Sequence, residues 1–194
     1  MTQIEFADLG LPEPLLRAVS ERNFVHPTPI QAQSIPPLLQ GRDLLGIAQT
    51  GSGKTAAFVL PILARIGADR SRPAAFMARA LILAPTRELA QQIEETVRQL
   101  SAGLRLNVVL IVGGASRFRQ ASAMRRGADV VVGTPGRVMD LMGSRELDLS
   151  LVGDFVLDEA DRMLDMGFLP DVRRIVDTLP SRRRSAMFLS LIHI

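Results

Sequence analysis

Short apolar runs alternate along the chain with longer segments in which apolar residues recur at helical spacing. Leu89, Ile93, Val97 and Leu100, for example, fall on one face of a helix. Apolar runs without polar alternation are typical of strands that are buried on both faces of a parallel sheet. We therefore expect an α/β fold, with a mostly parallel sheet and helices on both faces.

The same pattern sets the expected boundaries of the elements. The apolar runs predict strands over residues 43–48, 80–84, 107–112, 129–132 and 155–157. The periodic segments predict helices over residues 54–65, 87–100, 115–126, 136–142 and 171–179. An exposed loop is expected over residues 67–79, because Ser71 and Pro73 favour turns. No repeat or low-complexity tract divides the chain, so we expect one domain of ordinary size.

Composition narrows the classes of protein that remain. The chain has no cysteine, which excludes disulfides and thiolate metal sites, and two separated histidines argue against a zinc centre. Any metal should therefore arrive with a bound phosphate. No apolar run approaches the roughly 20 residues that span a bilayer, and no export signal opens the chain, so we expect a cytoplasmic protein. The net charge of +3 is compatible with an anionic partner without indicating one.

Residues 48–55 carry the most specific motif, a glycine-rich loop that contains Lys54, the one lysine of the chain. An ammonium on a flexible stem fits between phosphate oxygens where a planar guanidinium is too wide. The loop amides and the amino end of the following helix favour the same anion. The alternative is an ordinary turn with an exposed lysine. The expected phosphate-binding residues are Gln49, Thr50, Gly51, Ser52, Gly53, Lys54 and Thr55, whose hydroxyl would meet Mg²⁺.

An acidic pair, Asp158 and Glu159, follows the apolar run of residues 155–157. Ligands of open parallel sheets gather at the carboxyl ends of the strands, so this pair should face the phosphate-binding loop. There Asp158 would hold Mg²⁺, largely through water, and Glu159 would orient or deprotonate an attacking water. The alternative is the acidic first turn of a helix.

Several blocks now occur together and in order, and they resemble the DEAD-box RNA helicase family over residues 6–188. Ala48 replaces the glycine of the general phosphate-loop pattern, which narrows the set of families. The blocks are residues 48–55, 85–90 (motif Ia), 113–114 (paired glycines), 134–137 (motif Ib) and 158–168, which open with Asp-Glu-Ala-Asp. The resemblance implies a RecA-like P-loop NTPase lobe that uses ATP and Mg²⁺. Lys54, Asp158 and Glu159 would be its catalytic residues, and Thr55 and Asp158 its metal ligands.

Residues 27–31 resemble the Q motif, through which the family reads adenine with a glutamine amide. The resemblance places Gln31 on adenine, Phe6 on the face of the base and Phe24 nearby. The alternative for Gln31 is structural, because Thr28 and Gln31 also form a capping box at a helix start. With the other motifs present, we expect Gln31 to read adenine while Thr28 caps the helix. Either Phe is alternatively an ordinary core residue. Asn23 stands where the family usually has glycine.

Motifs Ia and Ib follow predicted strands and lead into predicted helices, so their backbone amides can face phosphates. With no Trp or Tyr in the chain, a nucleic acid would be held mainly by its backbone. The alternative is that Pro and Gly mark turns and Arg is solvated. By resemblance, the RNA-backbone contacts are Pro85, Thr86, Arg87, Gly114, Thr134, Gly136 and Arg137.

The family also sets expectations for domains and activity. We expect a Q-motif region over residues 1–40, a RecA-like ATP-binding domain over residues 41–188 and an artificial tail over residues 189–194, where the family instead continues with Ser-Ala-Thr. A diverged motif with a natural stop is the alternative for these last residues. The missing motif would be linked to the site through Asp161. The family takes its arginine finger and half of its RNA clamp from a second RecA-like domain, so this lobe should bind ATP and RNA weakly with little turnover. The alternatives are a non-catalytic binding module and a P-loop ATPase that acts on DNA.

Overall fold

A single six-stranded sheet organises the molecule in the computed structural model, which describes residues 4–69 and 71–190. All strand pairs are parallel, and the spatial order is β1-β6-β5-β2-β4-β3. The prediction of a parallel α/β sheet is confirmed. The strands are β1 (Leu44–Ile47), β2 (Ala78–Leu83), β3 (Val108–Ile111), β4 (Ala128–Gly133), β5 (Asp154–Leu157) and β6 (Arg184–Leu189).

Helices cover both faces of the sheet, as predicted. Side chains of α1 to α4 pack on one face and those of α5 to α8 on the other, each forming its own apolar core. A 3₁₀ turn, Phe6–Leu9, precedes them. No helix in residues 4–69 and 71–190 combines the length and apolar character needed to span a membrane. The helices are α1 (Glu13–Ser20), α2 (Pro29–Leu39), α3 (Lys54–Ala68), α4 (Arg87–Leu100), α5 (Arg117–Met124), α6 (Pro135–Gly143), α7 (Ala160–Asp165) and α8 (Leu169–Thr178).

The sequence pattern left some boundaries wrong. The expected loop over residues 67–79 is shorter at both ends, because α3 continues to Ala68 and β2 begins at Ala78, which is fully buried. Arg79 lies in this strand because it forms ion pairs with Asp69 and Asp129. The tail boundary remains a prediction. Leu189 ends β6, and residues 191–194 lie outside the described part of the chain.

The outer strand β1 and its neighbour β6 are covered by helices on one face of the sheet only. Phe188 is fully buried against Phe58 of α3, at a ring-centroid distance of 5.3 Å. On the opposite face, Leu45 and Ile47 of β1 are 63% and 54% exposed, and Met187 of β6 is 39% exposed. Strand alternation sends neighbouring residues to opposite faces. The described residues therefore leave an apolar face open at this edge.

Candidate functional site

The strand order brings the two strongest motifs together. The glycine-rich loop follows β1 and the acidic pair follows β5, and only β6 separates these strands. Motifs Ia and Ib follow β2 and β4, and the paired glycines follow β3. All these segments lie at the carboxyl edge of one parallel sheet, where ligands of such folds bind. The carboxyl edge therefore has two halves. The nucleotide half, at β1 and β5, carries the phosphate loop and the acidic pair, and the RNA half, at β2, β4 and β3, carries the expected RNA contacts.

Two glycines give the phosphate loop its shape. Gly51 has φ 82° and Gly53 has φ 91°, and Gly53 is the N-cap residue of α3. Residues with a side chain rarely adopt such backbone angles. The loop ends at Lys54 and Thr55, the first two residues of α3, so the positive end of that helix is directed into the loop. The predicted strand-loop-helix context of the motif is confirmed.

Lys54 lies under this loop and faces the acidic pair. Its side chain is 6% exposed, and Nζ lies 3.7 Å from Asp158 Oδ1 and 3.9 Å from Glu159 Oε1. Nζ and the hydroxyl of neighbouring Ser52 are both buried, and neither has a hydrogen-bond partner among the described residues. Buried polar groups of this kind are costly unless a partner satisfies them. An anion with several acceptor oxygens would supply hydrogen-bond partners to both groups.

Asp158 is almost completely buried at the end of β5. Its amide donates to the Leu83 carbonyl of β2 at 3.0 Å, and its Oδ1 accepts the amide of Glu159 at 3.0 Å. Burial raises the pKa of Asp158 to about 6; nearby Lys54 opposes this shift, and Glu159 adds to it. A bound cation would favour the ionised carboxylate. The chemistry of Asp158 therefore fits a ligand of Mg²⁺, and its role as a metal ligand stays a prediction.

Glu159 is held in a conformation that sequence alone did not predict. Its backbone has φ 51° and ψ 50°, a left-handed geometry that costs energy for a residue with a side chain. Thr50 Oγ1 donates to Glu159 Oε1 at 3.4 Å, and Arg162 donates to Oε2 at 3.3 Å. Strain of this type is common at functional sites. The contacts fix the orientation of the carboxylate beside Lys54.

Arg162 is a site residue that the sequence interpretation missed. It lies three residues after Glu159, and residues at this spacing are neighbours on a helix. This three-residue spacing was the sequence signal from which the contact between Arg162 and Glu159 could have been predicted. Asp161, in contrast, was expected to link the site to the Ser-Ala-Thr motif of the family, which this sequence does not have after Phe188. Its Oδ1 accepts the amide of Ser190 at 3.0 Å, and the link to that motif stays a prediction. The Ser190 hydroxyl also lies 3.4 Å from Thr50 Oγ1.

Gln31 joins the amino-terminal region to the phosphate loop. Its Oε1 accepts the amide of Thr28 at 3.0 Å, as the capping-box interpretation predicts, and its Nε2 donates to the Gly53 carbonyl at 3.1 Å. Each atom of the amide has capacity for a further hydrogen bond. Recognition of adenine by Gln31 therefore stays a prediction, and the structure adds a direct contact between Gln31 and the loop.

The two expected aromatic neighbours of the base occupy different environments. Phe6 is 4% exposed in the core, and Phe24 is 40% exposed. Their rings stack at a centroid distance of 6.3 Å and an interplanar angle of 21°. The packing of Phe6 thus agrees with the alternative that it is a core residue. Contact of either ring with a base stays a prediction, and Phe24 is the ring that solvent reaches.

The expected RNA contacts come together around the ends of β2 and β3. Thr86 caps α4, accepting the Leu89 amide on its hydroxyl at 3.2 Å, and Pro85 before it is buried. Arg87 is exposed and lies beside Gly114, where an added Cβ would lie 3.0 Å from its Nη1. The arrangement leaves the guanidinium of Arg87 accessible next to a glycine with φ 71°.

Motif Ib is tied to the same region. Thr134 is the N-cap residue of α6, and Gly136 is exposed in the first turn. Arg137 donates to the Ala115 carbonyl at 3.1 Å and to Gln120 Oε1 at 3.4 Å. The Arg137 side chain therefore already forms hydrogen bonds within the protein. In the predicted contact with RNA, the same side chain would serve both purposes.

The parallel sheet, the phosphate loop and the acidic strand end together define a RecA-like P-loop nucleotide-binding lobe. A family model described as DEAD/DEAH box helicase matches residues 28–190. The chain belongs to the DEAD/DEAH box helicase family. The family resemblance noted from the motifs is thus confirmed.

Individual relatives agree with this assignment. The chain is 49% identical over 184 residues to the ATP-dependent RNA helicase DeaD of Klebsiella pneumoniae, covering 94% of this chain and 28% of the relative. It is 47% identical over 183 residues to the RNA helicase CrhR of Synechocystis, covering 94% of this chain and 36% of the relative. A crystal structure of a DEAD box protein from Methanococcus jannaschii superposes with a TM-score of 0.87 at 36% identity, covering 97% of this chain and 50% of that one. The chain spans little more than a third, at most, of the curated relatives' length.

Proposed function

We propose that this chain is the ATP-binding lobe of an ATP-dependent RNA helicase, an enzyme that hydrolyses ATP to remodel or unwind RNA. The observation that carries the proposal is the buried ammonium of Lys54, which lies between two carboxylates and under a glycine loop without a hydrogen-bond partner. A nucleotide phosphate supplies the acceptor oxygens that this group needs. The names of the similar proteins support the same activity.

Each residue at the nucleotide half then has a role. Lys54 and the loop amides hold phosphate oxygens, and Gln31 donates to and accepts from adenine. Thr55 and Asp158 would hold Mg²⁺, which would neutralise charge on the phosphates. Glu159, restrained by Thr50 and Arg162, orients the attacking water. Turnover by this lobe alone should be slow, because an arginine finger is worth about 10³ to 10⁵ in rate and would come from a second RecA-like domain.

The other half of the edge would hold an RNA backbone. Exposed Arg87 supplies a charge, and glycine and helix-start amides supply neutral donors. Backbone contacts carry no base information, which suits a helicase that acts on many sequences. The proposed contacts are Pro85, Thr86, Arg87, Gly114, Thr134, Gly136 and Arg137.

Replacing Gln31 with Ala tests the nucleotide assignment. The parent should bind ADP with Mg²⁺ more tightly than GDP by at least about tenfold, because a base that leaves buried polar groups unpaired is rejected. The variant should lose most of that preference while retaining phosphate contacts. Calorimetric titration of each protein with ADP and GDP measures both effects. Equal affinities of the parent for the two nucleotides would contradict the role of Gln31.

Replacing Arg87 with Gln tests the RNA half. We expect weaker binding of a single-stranded RNA and a salt dependence that is shallower by about 0.7 in the slope of log K against log salt, the effect of one lost phosphate contact. Fluorescence anisotropy at several salt concentrations measures this slope. Arg174→Gln, an exposed change on α8 away from the strand ends, is the matched control.

Two results would contradict the RNA assignment. One is an unchanged slope in Arg87→Gln, and the other is an equal loss in the Arg174→Gln control. The same titration with a DNA strand addresses the alternative of an ATPase that acts on DNA. Preference for the DNA strand would favour that alternative over a helicase of RNA.

A further inference from the structure

Phe118 is the most exposed large apolar side chain of the described residues, at 74%. The chain has eight Phe and no Trp or Tyr, and most of these rings contribute to the core or to partly buried contacts. Phe118 contributes to neither apolar core. Packing therefore does not account for an aromatic residue at this position.

The ring lies at the half of the sheet edge that carries the proposed RNA contacts. Phe118 is the second residue of α5, which begins shortly after the paired glycines at the end of β3. The first turn of α5 is held in place by hydrogen bonds, because Ser116 caps the helix and Gln120 Nε2 donates to the Val112 carbonyl at 2.9 Å. Arg137 of motif Ib donates to the Ala115 carbonyl at 3.1 Å. The backbone that presents Phe118 is thus held by Ser116, Gln120 and Arg137, and Arg137 is one of the residues proposed to meet RNA.

The charges around this turn favour an anionic chain. Arg117 is paired with Asp140 and Glu146, so its charge is neutralised within the protein. Arg119 is exposed and forms no ion pair among the described residues, and Arg87, also exposed, lies beside Gly114 at the start of the same loop. An exposed aromatic ring with cationic neighbours is the usual composition of a site for single-stranded nucleic acid.

We propose that Phe118 is a platform on which an unpaired RNA base stacks at the rim of this surface. The inference rests on the proposed function and adds a contact to a base to a surface that otherwise grips the backbone. Stacking is tolerant of sequence, because every base has a π-face. A platform here would hold a strand whose bases are free in preference to one whose bases are paired.

The first test replaces Phe118 with Leu and compares two ligands, an oligouridylate strand and a base-free ribose-phosphate strand of the same length. The substitution should weaken binding of the oligouridylate by about five- to tenfold, within the range of base–aromatic stacking. Binding of the base-free strand and of ADP should not change. Leu151→Ala is the control and should alter none of these affinities. Leu151 is an exposed apolar residue that precedes β5, so it lies at the amino ends of the strands, away from the carboxyl edge.

The second test replaces Phe118 with Trp, which gives the chain its one indole. Stacking of a base on the new ring should quench its fluorescence when oligouridylate is added, and the base-free strand should leave the emission unchanged. Anisotropy of the labelled strand reports binding in the same samples. Binding without quenching, or equal losses for both ligands in Phe118→Leu, would overturn the platform and leave the proposed function standing. Absence of any RNA binding by the parent would overturn both.

Discussion

Exchanging Lys54 for Arg will lower the affinity for Mg²⁺-ATP by about 100-fold, although the charge is conserved. The ammonium occupies a buried space under the loop, 3.7 Å and 3.9 Å from Asp158 and Glu159. A guanidinium is wider and matches carboxylates in a planar two-point contact. We expect it to turn toward the acidic pair and leave the phosphate position. The loss of about 3 kcal/mol corresponds to one or two charge-assisted hydrogen bonds.

Calorimetric titration with Mg²⁺-ATP measures this loss. Lys54→Ala is the matched variant, because it removes the charge without adding bulk, and the Arg variant should bind no better than the Ala variant. Thermal unfolding of both proteins without nucleotide checks that the fold is intact. An Arg variant that binds ATP like the parent would show that charge alone, and not the shape of the ammonium, governs the site.

Replacing Gly53 with Ala will lower the free energy of unfolding by about 3 kcal/mol. A Cβ at this position would lie 2.5 Å from Gln31 Nε2 and 3.1 Å from Thr28 Oγ1, and the backbone angle φ 91° already disfavours a side chain. The buried amide of Gln31 would have to move and lose its hydrogen bond to the loop. For a domain of this size, the midpoint of thermal unfolding should fall by about 10 °C.

Gly51→Ala is the control for this prediction. Gly51 has a similar angle, φ 82°, but an added Cβ there would meet no atom within 4 Å. Its substitution should therefore cost only the backbone strain, about 1 kcal/mol. Unfolding midpoints of the two variants, measured without nucleotide, separate the cost of backbone strain from the cost of displacing Gln31. Equal midpoints would mean that the packing of Gln31 on the loop contributes nothing to stability.

Patterns with a strong physical cause were predicted well from the sequence. The buried strand β4 contains Val130, Val131 and Val132, all without exposure, and such a run fits little except a central strand. The helix α4 was predicted with its observed boundaries. The phosphate loop and the acidic pair were expected to meet, and the ion-pair distances from Lys54 place them together.

Features decided by tertiary contacts were not predictable in this way. Arg79 looked like part of a loop, but its pairing with two aspartates lets it occupy a strand. The helices α1 and α7 were absent from the prediction, because both are short and α1 contains Pro14. The left-handed backbone of Glu159 follows from contacts on both sides of a buried turn, and no local pattern encodes it.

The direct pairing of β5 with β2 has an electrostatic consequence for the proposed function. The phosphate loop follows β1, which is three strand spacings of about 4.8 Å from β2. Counterions screen exposed charges over about 8 Å at physiological ionic strength, but they screen buried charges much less. Anions held in the two halves of the carboxyl edge would therefore repel each other mainly through the interior of the lobe. Lys54 on one side and Arg87 on the other would offset that repulsion. If both ligands bind as proposed, the number of charges on the nucleotide would change the RNA affinity without any movement of the protein.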